Sequence, residues 1–237
     1  GGNNWTKVWE QWGNGKPKTA FRTITFVDSL RGWVGNLGTS NWVKGVDDTN
    51  PLYATTDGGI TWAPVTNFKG TKPQGICGLW AVGPNTVYGA GRYDGKAYMI
   101  KTTDGGASWT STDMNSAYDG FVDVYFTTPS NGYVTGGDTS FNCALLHTTD
   151  GGAKWTNKKT MSAYHYWKMG FASPKFGYAV CWWPGKPDRN KWIQTYDGGA
   201  TWTDQVFAQN FEANGIGFLN EQIGFIGGNE PNTYQTF

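Results

Sequence analysis

One eight-residue motif occurs four times and constrains the fold more than any other feature of the sequence. Its copies run from Thr55 to Trp62, Thr102 to Trp109, Thr148 to Trp155 and Thr195 to Trp202. Each begins with Thr, continues through Asp-Gly-Gly and ends on Trp, and the four tryptophans are 47, 46 and 47 residues apart. A period of this length is typical of propeller and solenoid proteins, in which each repeat is one supersecondary unit.

A second motif lies upstream of each copy and occurs five times. An aromatic residue is followed six residues later by a turn residue, usually Gly, and then by an apolar or aromatic residue. The five occurrences are Phe26–Trp33, Trp80–Val87, Phe126–Tyr133, Phe171–Tyr178 and Phe218–Phe225. Asp-Gly between apolar runs is a strong hairpin signal, because Gly supplies the positive φ that the turn needs. Each repeat therefore predicts four short antiparallel strands.

The sequence thus predicts an all-β, five-bladed β-propeller of four-stranded antiparallel blades. We expect a single domain over residues 1–237. Its predicted blades are 13–62, 63–109, 110–155, 156–202, and 203–237 together with 1–12. The last blade is expected to close the ring through an N-terminal strand, Trp5–Trp12, beside Thr233–Phe237, since closure removes exposed sheet edges. The alternative is that the chain is a fragment of a larger propeller.

The residues of the repeated motif are expected to be structural and not catalytic. A carboxylate at the turn can accept hydrogen bonds from backbone N–H groups, and the Trp after it can pack between sheets. One turn repeated four times is scaffold by default. The structural residues predicted in this way are Asp57, Trp62, Asp104, Trp109, Asp150, Trp155, Asp197 and Trp202.

The motif matches the Asp-box, or bacterial neuraminidase repeat, Ser/Thr-x-Asp-x-Gly-x-Thr/Ser-Trp. The third copy departs from it at Lys154, where Thr or Ser is expected. Together with Ile24–Asp28 and Gly32–Gly35, the boxes most closely resemble the photosystem II assembly factor (Ycf48-like) group. The resemblance covers nearly the whole chain and implies a β-propeller. It is less specific for function, because sialidases, sortilin-type receptors and lectins carry the same box.

Strand order predicts which end of the blades carries function. In an antiparallel blade the first and third turns lie at one end, and the second turns and crossovers lie at the other. The boxes are third turns, whereas the opposite end holds all the irregular loops, where binding specificity is usually placed. The ligand-binding residues predicted at that end are Arg22, Trp42, Arg92, Tyr93, Tyr118, His165, Tyr166, Trp167, Trp182, Trp183, Arg189 and Glu230.

We therefore expect a non-enzymatic protein that binds a glycan or a protein partner through its irregular loops. Two alternatives stay open, an assembly or scaffold factor of the Ycf48-like kind and a small, sialidase-like carbohydrate-active enzyme. The catalytic candidates in an enzyme would be Asp119, Glu212 and His165. Few charges (16%) and a net charge of +1 argue against nucleic acid as partner. We expect no cofactor, no metal and no membrane insertion, and a secreted or extracytoplasmic location. The pairing of the three cysteines and the oligomeric state stay open.

Overall fold

The computed structural model is built of β-strands. It describes residues 3–10, 12–13, 16–17, 19–38, 48–92, 95–140, 142–161, 165–182, 191–207, 212–229 and 234–236. No helix occurs in these ranges. The chain divides into two compact units, Gly1–Met114 and Asn115–Phe237, and the single-domain organisation stays a prediction.

The first unit contains a two-stranded ribbon and two blades. Its strands are β1 (Trp12–Gly13), β2 (Lys16–Pro17), β3 (Phe21–Phe26), β4 (Gly32–Asn36), β5 (Leu52–Thr55), β6 (Ala63–Pro64), β7 (Phe68–Lys69), β8 (Gly78–Ala81), β9 (Val87–Gly91), β10 (Tyr98–Thr102) and β11 (Trp109–Asp113). Blade 1 has the order β3-β4-β5-β6 and blade 2 the order β8-β9-β10-β11, with β7 added in parallel to the outer edge of β11.

The second unit contains two further blades and a three-stranded sheet. Its strands are β12 (Tyr118–Phe126), β13 (Gly132–Asp138), β14 (Cys143–Thr148), β15 (Thr156–Met161), β16 (His165–Phe171), β17 (Gly177–Trp182), β18 (Lys191–Thr195), β19 (Thr203–Val206), β20 (Glu212–Phe218), β21 (Gly224–Asn229) and β22 (Tyr234–Thr236). Blade 3 is β12-β13-β14-β15, blade 4 is β16-β17-β18-β19, and the last sheet is β20-β21-β22.

The predicted all-β, propeller-type fold is confirmed, with one correction to the number of blades. Blades 1 to 4 each contain four antiparallel strands in chain order, with β7 as an added parallel strand in the sheet of blade 2, and the last sheet has three strands among the described residues. The fourth strand of blades 1 and 3 begins after the box Trp, at Ala63 and Thr156, beyond the boundaries expected at Trp62 and Trp155.

The predicted N-terminal strand is wrong in the part of the chain that the structure describes. Residues 4–10 form no strand. Instead the indole of Trp9 packs against Phe21, Tyr53 and Trp62, with ring centroids 4.6, 5.2 and 5.9 Å away. Burying this aromatic surface on blade 1 is favourable and holds the segment in the first unit, whereas β22 pairs only with β21 among the described strands.

Each box turn is held by the hydroxyl and the carboxylate of its own residues. In the first box Thr55 Oγ1 donates to Asp57 Oδ1 at 2.8 Å and accepts from the Gly59 amide at 2.9 Å. The Thr61 amide and hydroxyl then donate to the same carboxylate, at 2.9 and 2.5 Å. The second and fourth boxes repeat this pattern. These bonds satisfy backbone donors that the tight turn would otherwise leave unpaired. The structural role of the box aspartates stays a prediction, and these contacts favour it.

The box turns lie at the same end of each blade as the first turns, as predicted. In five first turns a backbone amide donates to the carbonyl four residues later at 2.9–3.0 Å; the donors are Val27, Val82, Thr127, Ala172 and Leu219. A second backbone hydrogen bond of 2.9 Å joins each box turn to the first turn of its blade. The amide of a box glycine donates to a first-turn carbonyl, Gly58 to Leu30, Gly105 to Asn85, Gly151 to Ser130 and Gly198 to Lys175. We call this the box end, and the end that holds the second turns and crossovers the loop end.

Neighbouring blades within a unit pack through the box Trp. Trp109 is fully buried and lies edge-on to Trp33 of blade 1, with centroids 5.9 Å apart. Trp202 meets Tyr133 of blade 3 in the same way at 6.0 Å, and the Tyr133 hydroxyl donates to the Gly198 carbonyl. The aromatic residue on the second strand of one blade thus packs against the box of the next.

Candidate binding surface at the loop end

The register of the first two strands places the start of the first strand and the end of the second strand at the loop end. The first residue of the first strand pairs with the last residue of the second strand in four sheets. These pairs are Phe21 with Asn36, Tyr118 with Asp138, His165 with Trp182, and Glu212 with Asn229. The predicted binding residues Tyr118 and His165, which begin first strands, and Trp182, which ends a second strand, therefore lie at the end of their blades opposite the boxes.

A β-bulge recurs close to these strand starts and was not predicted. The ladder skips one residue of the first strand in four sheets, at Arg22, Val122, Trp167 and Asn214. The residue that follows each bulge residue is paired with an equivalent position of the second strand, so the four bulges are homologous. Bulges re-aim side chains and are frequent next to functional sites. Arg22 and Trp167, two of the predicted ligand-binding residues, are both bulge residues.

Tyr118, Asp119 and Arg22 are the predicted site residues whose described side chains keep partial access to solvent. The ring of Tyr118 packs on Phe121 at 5.4 Å, tilted by 42°. Burial, followed by the negative charge of Asp138, raises the pKa of the Tyr118 hydroxyl, so this group is a neutral hydrogen-bonding group at physiological pH. Asp119 is the next residue, and the β-ladder skips it between Tyr118 and Gly120.

Three other predicted site residues are buried. Arg92 is 6% exposed, and its guanidinium donates to the Leu37 carbonyl of blade 1 at 2.5 Å. Tyr166 is fully buried, in a cluster with Cys143 and Cys181, and this burial raises the pKa of its hydroxyl. Trp167 is 9% exposed. Their part in ligand binding stays a prediction, and their burial favours a packing role.

The remaining predicted residues lie wholly or partly outside the described residues. Trp42, Tyr93, Trp183, Arg189 and Glu230 fall in segments that the structure does not describe. His165, Trp182 and Glu212 are placed by their backbone alone. Their assignment to the loop end rests on strand register, and their role stays a prediction.

A charged pair that the sequence did not predict links blades 3 and 4. Lys168 Nζ lies 3.0 Å from Asp123 Oδ1, and the other oxygen of Asp123 accepts from the Met169 amide at 3.2 Å. Both side chains are mostly shielded from solvent. Asp123 and Lys168 directly follow the bulges at Val122 and Trp167, so the pair fixes the neighbouring bulged strands relative to each other.

The described residues contain no group of three or more His, Cys, Asp or Glu side chains placed to hold a metal ion. None of the described segments is a helix long and apolar enough to cross a bilayer.

Residues 103–214, just under half of the chain, match the family described as photosynthesis system II assembly factor YCF48. The resemblance to Ycf48 is confirmed. The matched segment contains nearly all of the second box, the third and fourth boxes, and blades 3 and 4 complete. It therefore includes the strand starts at Tyr118 and His165.

Solved structures support the fold. A structure of "YCF48 bound to D1 peptide" shares 15% identity, with 89% of this chain and 91% of that chain covered and a TM-score of 0.43. The Niastella koreensis GH74 enzyme shares 16% identity over 91% of this chain and 38% of its own, with a TM-score of 0.63. The extracellular domain of a putative one component system from B. thetaiotaomicron shares 11% identity over 95% of this chain and 28% of its own, with a TM-score of 0.62. The last two similarities show the fold alone. No curated protein matches the chain.

Proposed function

We propose that this chain is a Ycf48-like binding module that recognises a peptide segment of a partner protein through its loop end. The observation that carries the proposal is the position of the family match. It spans blades 3 and 4, and near the loop end the first strands of these blades carry Tyr118 and Asp119 in blade 3 and His165 and Trp167 in blade 4. A peptide as the class of partner follows from the family resemblance, and the location follows from the strand register.

The chemistry at the loop end suits a protein partner. Tyr118 offers a partly exposed ring with a neutral hydroxyl, and Asp119 adds a carboxylate as the next residue of the same strand. In the first unit, Arg22 adds a partly exposed, positively charged side chain near the loop end of blade 1. Aromatic and arginine side chains dominate the energetic centres of protein interfaces. The bulges at Arg22 and Trp167 each interrupt the ladder near the loop end of their own blade, whereas the box end repeats one set of internal hydrogen bonds.

The test is binding to a displayed library of random peptides, followed by titration of the tightest-binding peptide against three proteins. The wild type should bind, and the double variant Trp182→Ala, Trp183→Ala should lose most of the affinity, since an interfacial Trp contributes about 2 kcal/mol or more. The matched control is Tyr196→Ala, which removes an aromatic side chain that is 63% exposed at the box end.

A glycan ligand and a carbohydrate-active enzyme are the competing functions, and the same proteins distinguish them. Aromatic side chains with flanking polar groups also suit sugar rings. Saturable binding on a glycan array, in the absence of any peptide binder, would replace the protein partner by a lectin function. Turnover of a polysaccharide panel that Asp119→Asn abolishes would instead show an enzyme.

We also propose an extracytoplasmic location. Supporting it are the low charged fraction of 16% and the abundance of aromatic residues, 14 Trp among them. Fractionation of the native source, probed with an antibody against the folded chain, tests this proposal. Recovery in the cytoplasmic fraction alone would contradict it.

A further inference from the structure

A cationic pocket lies on blade 3, next to the third box and away from the loop end. Its volume is about 180 Å³, and it is lined by His147, Thr149, Asp150, Lys154, Thr156 and Lys158. The pocket is formed by β14, the box turn and β15. It therefore belongs to one blade and does not depend on how blades are arranged.

The third box supplies a side chain that the other boxes do not have. In the other three boxes a hydroxyl donates to the second carboxylate oxygen of the box Asp; the donors are Thr61, Ser108 and Thr201, at 2.5, 2.6 and 2.6 Å. Lys154 takes this position in the third box, and its backbone amide keeps the bond to Asp150 Oδ1 at 2.9 Å. The turn thus folds without the hydroxyl, and Lys154 lines the pocket.

The two lysines of the pocket have no carboxylate within ion-pair distance among the described residues. Other lysines in the same unit are paired, Lys159 with Asp204 at 2.8 Å and Lys168 with Asp123 at 3.0 Å. Asp150 is the one acidic group in the pocket lining. Its Oδ1 is already occupied by the Thr148 hydroxyl and the Lys154 amide, so its main task is to hold the turn.

His147 reports the electrostatic state of the pocket. Its Nε2 lies 2.7 Å from Asn131 Oδ1, and its ring stacks on Tyr133 at 4.5 Å. Burial, followed by the positive charge of Lys158, lowers the pKa of this imidazole. An anion bound beside Lys158 would offset this positive charge and so raise the pKa of the imidazole. Thr149 and Thr156 add hydroxyl donors to the same space.

We propose that this pocket binds one compact oxyanion group, a phosphate, sulfate or carboxylate, between Lys154 and Lys158. Ammonium groups form short, charge-assisted hydrogen bonds to such oxygens. The site is independent of the function proposed for the loop end, because its residues lie on β14, β15 and the box turn. The anion is either a free ion or an acidic group of a partner molecule, and both use the same contacts.

The experiment is an NMR titration of the two histidines of the full chain with inorganic phosphate. Saturable binding should raise the pKa of His147, because the anion offsets the charge of Lys158, and should leave His165 unchanged. Lys154→Thr should bind about tenfold more weakly, as expected for the loss of one charge-assisted bond. Because it also supplies the hydroxyl used by the other boxes, it should melt no lower than the wild type. Lys158→Gln should weaken binding similarly, and Lys159→Gln, the matched control outside the pocket, should bind like the wild type.

Parallel titrations with sulfate, acetate and a short Asp-containing peptide identify the source of the anion. Phosphate or sulfate binding that depends on Lys154 supports a site for free oxyanions, and Lys154-dependent binding of the peptide alone supports an acidic group of a partner. Two results overturn the proposal. The first is the absence of a saturable shift of His147 with every probe. The second is equal weakening by Lys159→Gln and Lys154→Thr, which would show unspecific attraction to a basic surface.

Discussion

The aspartates of the boxes use their carboxylates to hold backbone. The side chains of Asp57, Asp104 and Asp197 each accept bonds from a Thr or Ser on both sides of the turn, and these bonds lower their pKa to about 2. The bond to the hydroxyl at Thr61, Ser108 or Thr201 is the largest cause. Asp150 lacks this bond because Lys154 replaces the hydroxyl, and its pKa is lowered mainly by the Lys154 amide.

These shifts predict how the fold responds to acid. A carboxyl group whose pKa is lower in the folded state stabilises the fold above its ordinary pKa of 3.8, and this stabilisation is lost as the pH falls towards about 2. The melting temperature should therefore fall between about pH 4 and pH 2. Asp104→Asn should melt lower at neutral pH and show a shallower fall over this range. Parallel melting curves of the two proteins would contradict the role given to Asp104.

Sequence patterns predicted the box residues well and the surface residues less well. The roles of Asp57 and Asp104 follow from local spacing, because each turn makes its bonds within five residues. Arg92 and Tyr166 were expected to contact ligand and are buried instead. Their burial depends on neighbouring strands, Leu37 of blade 1 and the core around Cys181, and local sequence does not specify such neighbours.

At the scale of elements, the contact between blades depends on a glycine in the box. Gly106 has φ +91°, and a Cβ atom there would lie 2.7 Å from the ring of Trp33. Gly106→Ala should lower the free energy of unfolding by about 2 kcal/mol or more, because it combines overpacking with an unfavourable φ. The matched control is Gly83→Ala in the first turn of blade 2, where a Cβ atom meets nothing within 4 Å. Urea unfolding of both variants measures the difference, and equal stabilities would contradict the packing account.

The buried box Trp should contribute more than any exposed one. Trp109 is fully buried against Trp33, whereas Trp5 is 89% exposed. Trp109→Ala should lower the free energy of unfolding by about 3–5 kcal/mol, and Trp5→Ala should change it by less than about 0.5 kcal/mol. Guanidinium unfolding followed by circular dichroism gives both values. A small effect at Trp109 would show that blades 1 and 2 are not held together by this contact.

The bulges and the N-terminal segment mark the limit of prediction from sequence at this scale. Hairpins were predictable because Asp-Gly turns and aromatic spacing recur in every repeat. The bulge residues Arg22, Val122, Trp167 and Asn214 share no residue type, so no motif signals them. The segment around Trp9 has the aromatic content of a strand. It forms no strand, and the indole of Trp9 packs on Phe21 and Trp62 instead.

At the scale of the whole molecule, the two ends of the blades differ in how regular they are. The box end repeats one set of hydrogen bonds from blade to blade, as expected for a scaffold. The loop end holds first-strand starts with different side chains, among them Tyr118, His165 and Glu212. The order of the antiparallel strands and the irregular loops predicted this difference between the two ends. The number of complete blades was not predictable in the same way, because the fifth repeat has an inner-strand motif without a complete box.

The most direct test of the loop-end account is hydrogen exchange of the chain with and without the tightest-binding library peptide. Exchange should slow at the strand starts around Tyr118, His165 and Glu212, because a bound peptide shields these amides. The box turns at Asp57, Asp104 and Asp197 should exchange at unchanged rates. Protection of the box turns with unchanged exchange at the strand starts would contradict the account and place binding at the opposite end.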